Sequence, residues 1–356
     1  MPPEATLIVV NWHTAELAAG AVASARSSWS GRLHVVVVDN SDDPAERAAL
    51  DRLEPDVLVN APQNPGYGGG ANLGARHARG EVLIVANADV EVAPAALDRL
   101  ARELEAPAVA MAGPRFVWDS AGRWLLPPPD VPGRIAEIDR LLAGRSRRWG
   151  EWWRARRHRR RVRFWETEEP ADAGALSGAL LCIRREAFES VGGFDPGFRL
   201  YFEEIDLMTR LRRRGWRLRH VPAAVCRHLY DQSAGKSAEA AGKYEESEMR
   251  YLSRWTGPRF ARWAIGRRRA VAVPAGCERL AMSAEIELPA GEWVAEASPL
   301  ADFGTAAGAF VEGGSLSIPR EIASGLRSDR IYLRVAGRRR GEVIRCMEMT
   351  RKPEIE

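Results

Sequence analysis

Residues 81–89, EVLIVANAD, indicate both the fold and a candidate site. The apolar run VLIVA predicts a strand covered on both faces, as in a parallel sheet. It ends in Asn87-Ala88-Asp89, and open α/β sheets contact their ligands at such strand ends. Asp89 offers a hard oxygen ligand for Mg²⁺ or Mn²⁺, with diphosphate oxygens and water as further ligands. A helix cap or turn residue is the alternative role for a lone aspartate.

The same kind of apolar run recurs on both sides of this strand. Strand-like runs alternate with helical segments, which predicts an α/β fold with a parallel sheet. The predicted strands are Thr6–Val10, Leu33–Val38, Val57–Val59, Glu81–Ala86, Ala175–Ile183 and Trp216–His220. The predicted helices are 14–29, 44–54, one opened by 64–74, Pro94–Leu104, one ending near Arg214, and Tyr244–Trp255.

The last quarter of the chain has a different pattern. Short alternating runs separated by turn residues follow Arg268 and are typical of a small all-β domain. We therefore predict an α/β domain over residues 1–268 and a small β-rich accessory domain over residues 269–356. Residues 127–170, rich in proline, arginine and tryptophan, are interpreted as an insertion in the first domain.

Composition narrows the class of protein. The 356 residues, 46% of them hydrophobic, are enough for a sizeable core. No 18-residue apolar run exists, so no membrane-spanning helix is expected. The N-terminus lacks the basic start and apolar stretch of a signal peptide. The four cysteines show no CxxC spacing, which favours a reduced, cytoplasmic protein with buried thiols over a disulfide framework or a zinc site.

A cluster of carboxylates opens a predicted helix. In LYFEEIDLMTRLRRR (200–214), Glu203, Glu204 and Asp206 fall within four positions and repel one another. Such a cluster suits chemistry that needs a proton acceptor beside a cation or a sugar hydroxyl. The favourable helix dipole is the alternative explanation, and it accounts well for one or two of the three. Farther on, His228 follows a short strand, either as a further metal ligand or as a structural histidine.

Two further segments leave alternatives open. The glycine-rich stretch 64–74 is either a phosphate cradle at a helix N-terminus or a tight loop without a ligand. Ten arginines lie between Arg145 and Arg163, beside Trp149, Trp152 and Trp153. This Arg/Trp segment fits nucleic-acid binding, an interfacial helix on anionic lipid, or a solvated basic loop. We consider the lipid surface as a partner and do not expect nucleic acid.

Together these motifs resemble the family-2 glycosyltransferases with a GT-A fold, and among them the rhamnosyltransferase-like branch. The resemblance covers about residues 5–255, and the motifs occur in the family's order. They are Val10-Asn11 at the end of the first strand, VVDNSDD at 37–43, NPGYGGGANLG at 64–74, ANAD at 86–89, LSGALLCIRREAFESVGGFD at 176–195, YFEEIDLMTRLRRRGW at 201–216 and RHLYDQS at 227–233.

The resemblance implies a role for each matching residue. Asp89 and His228 would bind Mg²⁺ or Mn²⁺, Glu204 would be the general base, and Glu203 and Asp206 would position the acceptor or the base. The residues implied to bind the nucleotide sugar are Val10, Asn11, Asp39, Asn64, Gly66, Tyr67, Gly68, Asn72, Asn87 and Gly178. Two positions depart from the family pattern, since Asn87 replaces the first acid of the DXD element and Glu204 stands where aspartate is commoner.

The implied activity is an inverting, metal-dependent transfer of a sugar from a nucleoside diphosphate to a saccharide or lipid-linked acceptor. Rhamnose is the candidate sugar, and polysaccharide or cell-envelope biosynthesis is the implied setting. We expect a cytoplasmic protein, peripheral on the inner face of the cell membrane through residues 145–165. The alternative is a non-catalytic protein that binds nucleotide sugars or polyanions.

Overall fold

The first 268 residues build one mixed sheet flanked by helices. The computed structural model describes residues 4–229, 238–268, 277–326, 328–339 and 341–351. The strands of this part are β1 (Ala5–Asn11), β2 (Leu33–Asp39), β3 (Val57–Asn60), β4 (Val82–Asn87), β5 (Val90–Val92), β6 (Val109–Val117), β7 (Ala171–Asp172), β8 (Leu180–Arg184) and β9 (Arg217–His228). The helices are α1 (Ala15–Ser28), α2 (Pro44–Asp51), α3 (Gly66–Ala75), α4 (Ala96–Glu103), α5 (Arg134–Ala143), α6 (Arg147–Trp165), α7 (Arg185–Ser190), α8 (Glu203–Arg213), α9 (Ala238–Thr256) and α10 (Pro258–Ile265).

The strand order is β3-β2-β1-β4-β8-β6-β9-β5, with β7 beside β9. Strands β1, β2, β3, β4, β6 and β9 run in one direction, and β5, β7 and β8 run in the other. The predicted α/β class with a mostly parallel sheet is therefore confirmed. The register pairs Asn11 with Asp39 and Val10 with Asn87. The parallel strands β1, β2 and β4 thus carry polar side chains at their C-terminal ends.

Both faces of this sheet are covered. Leu7 and Val9 pack on the face that carries α1 and α4. Ile8 packs on the opposite face, with residues of α3 and α8. Because each face is buried, β1 and β2 need apolar side chains at every position, and this explains their unbroken hydrophobic runs.

One central strand, β6, was not expected from the sequence. Gly113 and Pro114 interrupt its apolar pattern and resemble a turn. In the structure the pairing with β9 shifts register between Pro114 and Arg115. A proline lacks the N–H of a sheet ladder but is tolerated at such an irregularity, so the strand continues through it.

The Arg/Trp segment forms helix α6, and the part of the insertion that precedes it forms helix α5. Helix α6 buries His158, Arg161, Val162 and Trp165. The Trp165 indole donates to the Leu126 carbonyl at 3.0 Å, and its ring lies where a Cβ on Gly308 would be. The helix is therefore positioned by contacts distant in sequence.

The predicted β-rich C-terminal region is confirmed. Its elements are β10 (Glu278–Ala281), β11 (Ile286–Leu288), β12 (Trp293–Ser298), β13 (Ala307–Val311), β14 (Gly314–Leu316), α11 (Arg320–Gly325), β15 (Arg330–Gly337) and β16 (Val343–Thr350). Five strands form a sheet in the order β10-β16-β15-β12-β13, and β11 pairs with β14.

A buried carboxylate joins this sheet to α6. Glu296 is contacted by Arg161 at 2.7 Å and by Arg334 at 2.6 Å. Burial alone would raise the pKa of Glu296, but Arg334, His158 and Arg161 hold it well below its ordinary value. Removing one partner of a buried ion pair strongly destabilises the folded protein. Glu296 therefore fixes the C-terminal sheet against α6.

The domain division at residues 268 and 269 remains a proposal. Residues 269–276, where the predicted boundary falls, lie outside the described part of the chain. On either side of it, Leu125 and Gly308 exchange two backbone hydrogen bonds of 2.8 Å. The two parts also contribute to one hydrophobic core. We therefore propose two domains that share an interior.

The cysteine prediction is half right. Cys182 and Cys226 are buried free thiols, as expected. Cys277 and Cys346, however, form a disulfide between the segment before β10 and strand β16. Their 69-residue separation gives no local signal, since the two come together only when β10 pairs with β16. In the described ranges, no helix has the length and apolar character needed to cross a bilayer.

Candidate active site

Asn11 and Asp39 lie at the polar ends of the neighbouring strands β1 and β2. Asn11 is fully buried and donates from Nδ2 to Asp39 Oδ1 at 3.3 Å and to Glu46 Oε2 at 2.9 Å. Asp39 Oδ1 also accepts from the Ser41 amide at 3.0 Å and hydroxyl at 2.6 Å. Asn11 and Asp39 were both predicted to contact the nucleotide sugar. The two side chains are adjacent and held in fixed orientations.

The glycine-rich segment is mostly helix rather than loop. Asn64 has φ +41°, and its Oδ1 accepts from the Gly66 amide at 3.1 Å just before α3 begins. A Cβ on Gly70 would lie 2.8 Å from Val10 Cγ1, and one on Gly68 would lie 2.9 Å from Phe194 Cβ. These glycines allow α3 to pack closely, which explains them without a ligand. Their contact with a donor diphosphate stays a prediction.

Asn72 differs from what was expected of it. Its Nδ2 donates to the Phe194 carbonyl at 2.8 Å, and its Oδ1 accepts from the Phe194 amide at 2.9 Å. Both ends of the amide are therefore used to hold the turn before α8. We propose a structural role for Asn72 in place of nucleotide-sugar binding.

The Tyr67 hydroxyl is influenced by the carboxylates of Asp89, Glu203 and Glu204. Its hydroxyl donates to the Gly178 carbonyl at 3.0 Å, joining α3 to the segment before β8. Burial raises the pKa of Tyr67 well above its ordinary value, and the negative charges of Glu203, Glu204 and Asp89 raise it further. Tyr67 therefore stays a neutral hydroxyl within electrostatic reach of all three carboxylates.

Asp89 and His228 meet at the end of the sheet. The pairing of β5 with β9 sets Val90 opposite His228, and His228 Nε2 lies 3.3 Å from Asp89 Oδ1. Burial alone would raise the pKa of Asp89, but His228 and Asn87 lower it below its ordinary value. Asp89 is thus an ionised, buried carboxylate beside an imidazole. The end of the RHLYDQS motif, residues 230–233, lies outside the described residues.

A divalent cation fits this pair. Asp89 Oδ1 is buried and receives no well-directed hydrogen bond from any described residue, although the imidazole faces it. The described ranges contain no group of three or more His, Cys, Asp or Glu side chains suited to a metal. Mg²⁺ and similar ions at phosphate sites often take few protein ligands and complete their shell with substrate phosphates and water. Two protein ligands therefore suit an ion that arrives with a diphosphate.

The acidic helix α8 starts from an unusual turn. Tyr201 and Phe202 have φ values of +63° and +68°, a left-handed conformation that bulky residues rarely adopt. Such strain persists only where the surroundings enforce it, and it is frequent at functional sites. The turn orients the first residues of α8, Glu203 and Glu204, toward the interior.

Glu203 and Glu204 are both shifted toward their protonated forms. Glu203 is buried and its Oε2 has no hydrogen-bond partner among the described residues. Burial, and then the charge of Glu204, raises the pKa of Glu203 well above its ordinary value. Burial also raises the pKa of Glu204, although backbone amides oppose this. Glu204 packs against Gly178, where a Cβ would lie 2.9 Å from Glu204 Cγ.

Asp206 belongs to a different environment. Its oxygens accept from Arg210 Nε at 2.7 Å and Trp255 Nε1 at 3.0 Å, and Arg254 lies 3.3 Å away. The carboxylate is fully buried and connects α8 with α9. We therefore propose a structural role for Asp206, in place of the positioning role expected from the sequence.

A cleft of about 1320 Å³ runs from the start of α8 to helix α6. Ser177, Tyr201, Glu204 and His228 line one part of it. The residues that line the other part include Arg156, Arg157, Arg160, Arg163, Leu300 and Asp302. From the sequence these arginines were expected at a surface that binds nucleic acid or lipid, or in a solvated loop, and not in this site. The face that α6 turns toward the cleft is set by contacts distant in sequence.

Comparisons with known proteins give the families and relatives that this chain resembles. The family described as "Glycosyl transferase family 2" matches residues 6–192, and "Glycosyl transferase family group 2" matches residues 135–304. An N-acetylglucosaminyl-diphospho-decaprenol L-rhamnosyltransferase of Mycobacterium tuberculosis is 30% identical over 250 residues, covering 65% of this chain and 79% of that protein.

Two more similarities are shorter or more distant. Rhamnosyltransferase WbbL of Escherichia coli K12 is 38% identical over 79 residues, covering 22% of this chain and 30% of that protein. The solved structure of a Pyrobaculum calidifontis mannosyltransferase, in complex with GDP-Man and Mn²⁺, is 18% identical with a TM-score of 0.47. It covers 75% of this chain and 73% of that one.

Proposed function

The chain belongs to glycosyl transferase family 2, and from that membership we propose an inverting, metal-dependent transferase with Glu204 as its general base. One observation carries the proposal. His228, which lies beside the buried Asp89, and Glu204, a carboxylate of raised pKa, border the same cleft, and the charges of Asp89 and Glu204 both act on Tyr67. An inverting transfer requires two groups. One stabilises the leaving diphosphate, and the other takes up the proton of the attacking hydroxyl.

Glu204 takes up the proton of the acceptor hydroxyl. As the hydroxyl oxygen bonds to the anomeric carbon, the bond from that carbon to the diphosphate oxygen breaks, and the electron pair leaves with the diphosphate. Attack from the face opposite the leaving group inverts the configuration. The raised pKa of Glu204 brings it closer to the working pH, which favours proton transfer. Since the base must be ionised, activity falls as the pH falls through that pKa.

Asp89 and His228 are the residues that would hold Mg²⁺ or Mn²⁺. When bound there, the ion stabilises negative charge on the leaving diphosphate. Asn87, two residues before Asp89, helps lower the pKa of that carboxylate and so keeps it ionised. Asn11 and Asp39 would contact the nucleoside of the donor, and their adjacency at neighbouring strand ends supports this role.

We propose rhamnose as the sugar and a lipid-linked saccharide as the acceptor. The Mycobacterium relative is named for rhamnosyl transfer to a diphospho-decaprenol, and the Escherichia coli relative is named a rhamnosyltransferase. An acceptor of that kind carries a diphosphate, and the arginines of α6 along the cleft suit it. A cytoplasmic location, peripheral on the membrane, follows from such an acceptor.

A ligand panel and a turnover measurement test the proposal. The melting temperature is measured with Mn²⁺ and each nucleoside diphosphate or nucleotide sugar, because a ligand of the folded state raises it. The donor found in this way is then incubated with a diphosphate-linked saccharide, and transfer is followed with and without Mn²⁺. Donor binding without transfer to any acceptor would favour the binding-protein alternative. Full activity without a divalent cation would refute the proposed metal dependence.

A further inference from the structure

Helix α5 turns one apolar stripe outward and two acidic residues inward, while Leu141 is buried. Ile135, Ile138 and Leu142, which share one stripe of the helix, are 76%, 41% and 38% exposed. Glu137 and Asp139 are buried. A surface helix ordinarily shows the reverse pattern, with its apolar stripe toward the core. The exposed stripe therefore marks a face that contacts something else.

Ion pairs fix this orientation. Arg268 donates to Glu137 Oε2 from two nitrogens, at 2.7 and 3.1 Å. Arg156 of α6 donates to Asp139 at 3.1 Å. Both acids would lose these partners if α5 rotated to bury its apolar stripe. The outward direction of Ile135, Ile138 and Leu142 is thus built into the packing.

The start of α6 extends the apolar surface. Gly150 lies so close to α5 that a Cβ on it would be 3.0 Å from the Ala143 carbonyl. Trp149 and Trp152, beside that contact, are 37% and 44% exposed, with their rings 5.1 Å apart. Tryptophan favours the boundary between lipid and water. We call Ile135, Ile138, Leu142, Trp149 and Trp152 the α5 surface. Trp153 is not part of it, because that side chain is only partly exposed and its ring lies under Arg157.

The surroundings of the α5 surface are basic. Arg145, Arg147, Arg148 and Arg154 are exposed at the end of α5 and along α6. Glu151 pairs with Arg147, while Arg148 and Arg154 form no ion pair with any described residue. Apolar residues and tryptophans set among arginines match an anionic bilayer, which offers acyl chains and negative headgroups together.

The α5 surface is continuous with the cleft that contains Glu204. Arg134, Ile135, Glu137 and Arg140 of α5 line that cleft. We propose that the α5 surface binds the protein to an anionic membrane, so that the cleft opens at the bilayer and admits the headgroup of a lipid-linked acceptor. The membrane contact stands without any enzymatic activity, and only the identity of the acceptor rests on the proposed function.

Vesicle co-sedimentation of the full chain tests this proposal. Vesicles of phosphatidylcholine alone are compared with vesicles containing about 30% phosphatidylglycerol. Wild-type protein is expected to sediment with the anionic vesicles and to dissociate as salt is raised. Replacing Ile135, Ile138 and Leu142 with serine is expected to lower the partition coefficient at least ~100-fold, since three apolar side chains lose their burial in lipid. Trp149→Ser with Trp152→Ser should lower it as well.

Val343→Ser with Ile344→Ser is the matched control. These side chains on β16 are 51% and 38% exposed, and the double variant should bind vesicles like the wild type. Melting temperatures confirm that each variant is folded. Equal recovery on neutral and anionic vesicles would overturn the proposal, as would unchanged binding of the triple variant. So would a dimer that the triple substitution dissociates, or tight binding to single-stranded nucleic acid in place of lipid. The vesicle assay contains no sugar donor or acceptor. Vesicle binding by a protein that lacks transferase activity would therefore refute only the proposed function.

Discussion

Neighbouring carboxylates of α8 should respond to substitution in opposite ways. In Glu204→Gln the side chain keeps its shape but cannot take up a proton. We expect kcat to fall at least ~100-fold, about 2.7 kcal/mol of barrier, with donor affinity near that of the wild type. The melting temperature should not fall, because burial already disfavours the charge of Glu204.

Asp206→Asn should do the reverse. The substitution removes a fully buried charge that accepts from Arg210 and Trp255. Breaking a buried ion pair destabilises by about 3–5 kcal/mol. The lower end applies here, because Asn keeps one acceptor oxygen and Arg210 still donates to the Val191 carbonyl at 2.7 Å. About 3 kcal/mol corresponds to a melting temperature lower by roughly 6 °C for a large domain.

Both variants are compared with the wild type by sugar transfer well below the melting transition and by thermal unfolding. The reasoning predicts that Glu204→Gln loses turnover and keeps stability, while Asp206→Asn loses stability and keeps most of its turnover. A folded Asp206→Asn protein without activity, beside an active Glu204→Gln protein, would refute the assignment of the base.

Three other variants test the rest of the site. Asp89→Ala should abolish Mn²⁺-dependent binding of nucleoside diphosphate in titration calorimetry while the fold is retained; unchanged affinity would remove Asp89 from the cation site. The raised pKa of Glu203 means that its stabilising contribution is present at low pH and is lost as the pH rises through that pKa. The melting temperature of Glu203→Gln should therefore equal that of the wild type near pH 4 and exceed it at higher pH, and a pH-independent difference would contradict this. Gly178→Ala should displace Glu204, since the added carbon would lie 2.9 Å from its Cγ, and should lower kcat at least ~10-fold with little change in donor affinity; wild-type kcat would show that the contact is unimportant.

The sequence predicted the parts of the fold that depend on local patterns. The doubly buried strands β1, β2 and β4 are visible as apolar runs, and the polar residues that follow them lie at one edge of the sheet. Their adjacency follows from parallel pairing alone. Before the family resemblance His228 was one of two alternatives, a further metal ligand or a structural histidine, because the pairing of β5 with β9 is not visible in either segment.

The features that were missed depend on tertiary contacts. Strand β6 continues through Pro114 because a register shift accommodates it. Helix α6 presents Arg161 to Glu296, which is 135 residues away. The side chains of Glu203, Glu204 and Asp206 diverge because successive residues of a helix are about 100° apart, and the turn at Tyr201 and Phe202 sets the direction of α8. No local pattern specifies which of the three faces the cleft.

The contact between Glu296 and α6 also has a consequence for the order of events during synthesis. Arg161 leaves the ribosome long before Glu296 and Arg334, the residues that complete its buried network. At about 5–20 residues per second, the wait is on the order of ten to thirty seconds. Until then a buried arginine lacks its counter-charge, so α6 and the basic wall of the cleft are not yet fixed. The nascent chain should therefore remain unable to bind an acceptor until β15 has emerged. Limited proteolysis of stalled chains tests this, since protection of α6 before β15 has emerged would exclude it.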